Sequence, residues 1–257
     1  MAEARRLVRP GGSARIEGRH RSGRAAGPTP RTLAVDIGGS GIKAIVLDAA
    51  GKPLTDRARV ATPRPATPRA VIAAIGGLAK GQGDFDRVSV GFPGVVRRGV
   101  TETAWNLHPK WIGVDLAKTL GKLLRRPVRA ANDADVQGSG VVAGRGVELV
   151  ITLGTGFGSA LFVDGRLAPN LQLAHHLLRK RRTFEDDLGQ EALKKAGKKR
   201  WNRRLERAIR DLESMFNYDA LWIGGGNAEK VHLDLPDNVR IVPNIEGLLG
   251  GIALWRD

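Results

Sequence analysis

The chain has 257 residues, 42% of them apolar, with no cysteine and a formal net charge of +16. That length supports one large domain or two lobes around a buried core. The lack of cysteine excludes disulfides and thiolate metal sites and fits a reducing, cytoplasmic setting, and no run approaches the roughly 20 apolar residues that span a bilayer, so no membrane partner is expected.

Residues 1–31 hold eight Arg against Glu3 and Glu17 and are rich in Gly, Pro and Ser without apolar periodicity. They read as a disordered basic tail, and they lack the apolar segment of a secretory signal. From Thr32 the pattern turns to alternating strands and helices. Residues 33–36 and 43–47 read as a hairpin, with a turn over 48–52 and a further strand near 57–61. A helix is expected over 67–79, with Val71, Ile72, Ile75 and Leu78 on one face, then a strand over 87–92 closed by Pro93-Gly94. A second helix over 112–124 precedes a strand over 127–131 that delivers Asn132 and Asp133 at its end. Residues 148–153 and 158–163 form a second hairpin, and helices are expected over 185–196 and 201–216. Strands over 221–223 and 239–242 and a closing helix over 245–254 complete the chain. This order suggests two related α/β lobes rather than one doubly wound sheet. The lobes are expected over 32–130 and 131–257, with the closing helix packing back on the first.

Each hairpin carries a glycine loop: Asp36-Ile-Gly38-Gly39-Ser40-Gly41-Ile-Lys43 and Thr152-Leu-Gly154-Thr155-Gly156-Phe-Gly-Ser159. Such a loop leaves backbone N–H groups unpaired and, lacking Cβ atoms, lets an anion approach closely. Lys43 adds positive charge, and Asp36 can hold Mg²⁺, a hard cation that prefers oxygen. The plainer explanation is that Gly38-Gly39 turns a hairpin. Two loops in matched strand contexts favour the phosphate explanation. Neither loop is a Walker or dinucleotide motif, since Gly-x-x-x-x-Gly-Lys-Ser/Thr is absent and a strand, not a helix, follows. Between the loops, Asp133 can accept the proton of an attacking hydroxyl. Asp135 competes for that role, and Asn132 can bond a sugar hydroxyl. The alternative for Asn-Asp at this point is an ordinary helix cap.

Six segments then carry a family resemblance: Asp36–Lys43, Gly91-Phe-Pro-Gly-Val-Val96, Trp105-Asn-Leu-His-Pro-Lys-Trp-Ile-Gly113, Asn132-Asp-Ala-Asp135, Thr152–Gly156 and Trp222-Ile-Gly-Gly-Gly226. The chain resembles the ROK family of sugar kinases over residues 32–257, within it most of all the polyphosphate-using glucokinases. The resemblance implies an α/β, actin-like ATPase (ribonuclease H-like) fold of two lobes with a central cleft. It implies phosphoryl transfer from polyphosphate, ATP or both to the 6-hydroxyl of glucose, with Mg²⁺ and with Asp133 as base. Asn106, Asn132 and His175 would contact the sugar, the two glycine loops the phosphates, and Gly224, Gly225 and Gly226 a nucleotide. Family members are often homodimers. Repressors in the family carry a helix-turn-helix, for which residues 1–31 are too short and too rich in Gly and Pro, so nucleic acid is not an expected partner.

One segment departs from the family pattern. Pro169-Asn-Leu-Gln172-Leu-Ala-His175 stands where the family usually has Glu at the position of Gln172. Gln still accepts a hydrogen bond but lacks the charge that strengthens it, a loss of roughly 1–2 kcal/mol in sugar binding. Another hexose or an amino sugar as acceptor, or a non-catalytic sugar- or polyphosphate-binding protein, therefore stays open. Residues 179–210 carry thirteen Lys and Arg against five acids. Arg200, Arg203, Arg204 and Arg207 follow helical spacing and form either a cationic stripe for a phosphate chain or a solvated helix face.

Overall fold

The computed structural model describes residues 29–243 and 246–256. The expected tail therefore lies outside the described residues up to position 28, as does Ile245 at the start of the expected closing helix. Two runs of strands build two five-stranded sheets of one connectivity. The first contains β1 (Thr32–Ile37), β2 (Gly41–Leu47), β3 (Ala58–Ala61), β4 (Arg87–Phe92) and β5 (Val128–Asn132), ordered β3-β2-β1-β4-β5. The second contains β6 (Val147–Leu153), β7 (Phe157–Val163), β8 (Arg166–Ala168), β9 (Ala220–Gly224) and β10 (Val239–Ile241), ordered β8-β7-β6-β9-β10. In each, an antiparallel hairpin with a third antiparallel strand is extended by two parallel strands. This is the two-lobed actin-like arrangement. The central strands are apolar nearly throughout, as strands buried on both faces must be. Leu33, Val35, Val88 and Val90 fill the first core, and Leu149, Ile151, Leu221 and Ile223 the second.

Helix α1 (Pro68–Lys80) starts where the Thr67 side chain accepts the Ala70 N–H and Pro68 pre-sets the first turn. Helix α2 is shorter than expected. It spans Leu116–Leu124, because the Asp115 side chain caps it by accepting the Lys118 N–H at 2.8 Å. Residues 109–111 make only a 3₁₀ turn, and Ile112 stays 62% exposed. The sequence also hid α3 (Asp133–Ser139), a seven-residue helix that packs against strands of both sheets. Its apolar content is too small for periodicity to reveal it. Strand β8, three residues with Arg at its head, was hidden for the same reason.

The helices expected over 185–196 and 201–216 become α4 (Phe184–Leu188) and a long α5 (Gln190–Phe216). A kink at Gly197, whose φ of 72° suits glycine, interrupts α5 close to the expected break. Trp201, Leu205 and Leu212 from α5 are fully buried in the second core, each contributing about 1.5–3 kcal/mol of burial. The chain closes with α6 (Glu246–Leu249) and a 3₁₀ segment over Gly250–Trp255 rather than one helix. Leu248 and Ile252 pack on Ala34, Ile45 and Leu47 of the first sheet. Gly250 lets the same segment pack closely on α3, since a Cβ there would lie 1.8 Å from the Val136 carbonyl oxygen. Among the described residues no helix is long and apolar enough to cross a membrane.

Candidate active site

Strands β1, β5 and β6 end at one cleft of about 500 Å³, the place where open α/β sheets bind ligands. The first glycine loop closes through the Gly38 N–H donating to the Gly41 carbonyl at 3.0 Å. The second closes through the Gly154 N–H donating to the Gly156 carbonyl at 3.1 Å. Each turn thus uses one of its own amides, contrary to the idea of a wholly free loop. The N–H groups of Gly39, Ser40, Thr155 and Gly156 have no partner among the described residues, and all four residues line the cleft. The loops are close neighbours, as a Cβ on Gly39 would lie 3.4 Å from Thr155 Cγ2. Two pairs of unpaired amides therefore border the same space, a ready anion cradle.

Register places the charged groups. Asp36 faces Lys43 across the first hairpin, and their side chains pair at 3.1 Å. Lys43 in turn faces Arg59 across β2 and β3, and Arg57 lies two residues before Arg59, so three cations line one wall of the cleft. Arg57 and Arg59 were not singled out in the sequence. Their alternation beside Lys43 was the available signal, and it needed the strand pairing to acquire meaning.

Asn132 is the N-cap of α3, with its side-chain oxygen accepting the Ala134 and Asp135 N–H groups at 2.9 and 3.3 Å. Its amide donates to the Gly94 carbonyl at 3.1 Å, so only one N–H remains for a ligand. The cap explanation is therefore right for Asn132. It also fixes Asp133 as the first helical residue, partly open to the cleft. Burial, and secondarily the Asp36 charge, push the Asp133 carboxyl up to about 7. Asp135 does not share this position: it is buried, does not line the cleft, and accepts the Asn170 N–H at 3.4 Å. Burial raises it to about 7 as well.

Across the cleft, Ser159 pins the segment 169–176. Its hydroxyl donates to the Leu171 carbonyl and accepts the Leu173 N–H. Gln172 and His175 then line the cleft, with the His175 ring packed at a tilt of 44° against Trp105, 4.2 Å between centroids, next to Asn106. Glu185 at the start of α4 was missed by the sequence reading. It enters the cleft and accepts the Phe157 N–H at 3.2 Å. A Cβ on Gly156 would lie 2.2 Å from the Glu185 Oε2 and 2.9 Å from the Asn106 Nδ2, so these two side chains meet over that glycine. Gly225, Gly226 and Asn227 also line the cleft, whereas Gly224 ends β9 outside it. Asn227 ties them to the second loop by donating to the Gly154 carbonyl.

The arginine stripe does not reach the cleft and is not uniform. Arg204 is drawn to the buried Asp187 at 3.4 Å, and Arg207 pairs with Asp211 at 3.7 Å, because neighbouring turns of α5 and α4 supply acids. Of these four arginines, Arg200 and Arg203 are exposed and have no ion pair among the described residues.

No group of three or more His, Cys, Asp or Glu among the described residues is placed to hold a metal. Asp36 nonetheless suits Mg²⁺, which is commonly held by one or two carboxylates together with substrate phosphates rather than by a protein cage. The cleft thus combines four amides and three cations for phosphoryl oxygens with a carboxylate poised near neutrality.

A family model described as the ROK family matches residues 32–171. A polyphosphate glucokinase of Mycobacterium tuberculosis (strain CDC 1551 / Oshkosh) is 32% identical over 241 residues, covering 84% of this chain and 88% of that protein. The crystal structure of an inorganic polyphosphate/ATP-glucomannokinase from Arthrobacter sp. strain KM matches with a TM-score of 0.80 and 33% identity, over 88% of this chain and all of the other. A ROK family glucokinase from Streptomyces griseus, solved with glucose and AMPPNP, shares the fold with a TM-score of 0.70 at 20% identity, over 87% of this chain and 98% of the other.

Proposed function

The chain belongs to the ROK family, and on that premise we propose that it is a glucokinase that takes its phosphoryl group from inorganic polyphosphate, and from ATP as a second donor. The observation that carries this reading is the single cleft that joins Asp133 to the unpaired amides of both glycine loops. The sugar lies between Asn106, Asn132, Gln172, His175 and Glu185, with its 6-hydroxyl toward Asp133. Asp133 accepts the hydroxyl proton as the oxygen attacks the terminal phosphorus of the donor. The bond to the bridging oxygen breaks, and the leaving chain departs one unit shorter.

Amides of Gly39, Ser40, Thr155 and Gly156 and the cations Lys43, Arg57 and Arg59 hold the phosphoryl oxygens and stabilise the charge that spreads over them. Asp36 would hold Mg²⁺ together with the donor phosphates; when bound, the ion neutralises phosphoryl charge. Gly225 and Gly226 border the place for a nucleotide. Relatives named for polyphosphate support the donor assignment.

The test is coupled measurement of glucose 6-phosphate with each donor and Mg²⁺. Production with polyphosphate, lost on Asp133→Asn substitution, is expected. No product from either donor by correctly folded protein would sink the proposal. Gln172 favours a second reading, an acceptor other than glucose, and a panel of hexoses and amino sugars decides it.

A further inference from the structure

The ribbon formed by Leu177–Arg179 and Arg182–Thr183 lies along one face of α5 and with it borders a second cavity of about 620 Å³ that is open to solvent. Six cations line it: Arg179, Lys180, Arg200, Arg203, Arg204 and Arg207. Like charges gathered in a concavity need a reason, because each raises the electrostatic energy of the others.

The pocket is built, not merely exposed. The Asp187 side chain is 0% exposed and receives Arg179 at 2.5 Å, Arg182 at 2.6 Å and Arg204 at 3.4 Å. One buried carboxylate thus orients three guanidinium groups and leaves them with excess positive charge. Lys180, Arg200 and Arg203 have no ion pair or hydrogen bond among the described residues. The ribbon turns through Lys180 and Arg181 at φ of 39° and 61°, a left-handed region that is unfavourable for a residue with a Cβ. Two basic residues occupy a turn that glycine or asparagine would make more easily.

The lining also says what kind of anion fits. Arg200 and Arg207 stand seven residues apart, about 10 Å along a helix, too long for one phosphate. The pocket has one apolar residue, Leu178, and no aromatic ring. Binding of single-stranded nucleic acid relies on aromatic platforms for its bases, and none is offered here. Helix α4 connects the two sites, with Glu185 in the catalytic cleft and Asp187 beneath the arginine pocket.

We propose that this pocket binds a stretch of condensed phosphate remote from the reacting end, holding the body of the donor chain while its terminus lies in the cleft. The proposal rests on the polyphosphate-donor reading above. Its consequence is a preference for long chains, since a second contact on one chain raises the local concentration of the reacting end.

The test uses the full chain, the double variant Arg200→Gln/Arg203→Gln, and Arg203→Gln alone in case the double variant folds poorly. Both positions are solvent-exposed. Direct binding of long-chain polyphosphate is measured over a range of salt concentrations, and donor kinetics are measured with long-chain polyphosphate and with ATP. The double variant is expected to bind the long chain about ten-fold more weakly, with a logarithmic salt dependence about 1–2 units shallower. Its KM is expected to rise for the long chain while that for ATP moves less than two-fold. Unchanged long-chain affinity and salt slope would overturn the proposal, and so would an equal rise in KM for ATP. An oligonucleotide of matching charge that bound as tightly, through the same residues, would overturn it too. Because binding is read without turnover, a chain that is bound through these arginines but not consumed would refute the donor reading and leave the pocket as a polyphosphate site.

Discussion

Substituting Asp133 with Asn, with a pH profile of the unmodified protein beside it, bears most directly on the chemistry of the cleft. The Asp133 carboxyl is held up at about 7 by burial and by the nearby Asp36. A group with that value is about half ionised at pH 7, about one tenth at pH 6 and about 1% at pH 5. Only the ionised form can take the proton of the sugar hydroxyl. For the free protein, kcat/KM is therefore expected to climb nearly ten-fold between pH 5 and 6 and to level off about one unit above pH 7. Asn at position 133 keeps the shape and can still accept the Ala134 N–H, now bonded at 2.9 Å, so the helix start should survive. It cannot accept a proton. Loss of a general base costs about 10²–10⁴-fold in rate, or about 3–5 kcal/mol of transition-state stabilisation. The assay is coupled detection of glucose 6-phosphate with saturating donor, with circular dichroism as the check on folding. A variant within ten-fold of the parent, or a parent profile flat from pH 5.5 to 8, would refute the assignment of Asp133 as base.

Gln172→Glu restores the charged acceptor usual in the family and is expected to lower the KM for glucose about ten-fold, corresponding to roughly 1–2 kcal/mol; an unchanged KM across a sugar panel would show that Gln172 does not touch the acceptor. Asp135→Asn should flatten the pH dependence of stability. The buried Asp135 keeps its proton to about 7, whereas in the unfolded chain it ionises near 4, so native stability falls as pH rises through that interval. About three units at 1.36 kcal/mol each set a ceiling of about 4 kcal/mol, of which denaturant melts at pH 5 and pH 8 read about two units, or about 2.7 kcal/mol, and a parallel pH dependence in the variant would count against it. Gly156→Ala puts a methyl group 2.2 Å from Glu185 Oε2. It should cut kcat/KM at least ten-fold with little loss of stability, and kinetics within two-fold of the parent would contradict the close packing over that loop.

The strands and the two glycine hairpins were legible because their signals are local. Leu33, Val35 and Ile37 announce a buried strand without help from the rest of the chain, and glycines mark its end. What escaped the sequence was either too short for a period or dependent on pairing. Helix α3 has seven residues, two of them acidic in the first turn, and no periodicity detects it. Arg59 became a cleft residue only through its pairing with Lys43, and Glu185 only because α4 starts where the ribbon returns it toward the second loop. The arginine stripe was visible in helical spacing, but spacing within α5 could not show that Asp187, from another helix, engages Arg204.

The dipeptide Asn132-Asp133 shows why such readings need not compete. In the sequence, a helix cap and a phosphotransfer pair look like alternatives, since either explains an acidic turn after a strand. In the fold the first is the means to the second. Asn132 ends β5 and caps α3 with its side-chain oxygen, while its amide is anchored to Gly94 in the loop after β4. Those bonds hold the backbone at the strand-to-helix junction, and Asp133, the next residue, has one place to go, at the border of the cleft. A base that must meet a hydroxyl within hydrogen-bond reach gains from such fixation, because misplacement by about 1 Å can cost a hundred-fold in rate. Asn132→Ala should therefore damage turnover through position as well as through any lost sugar contact. Loss of the cap costs about 1 kcal/mol of stability, and a fall in kcat larger than the rise in sugar KM would separate misplacement of Asp133 from weakened binding. A rise in KM alone would mean that Asn132 serves only the sugar.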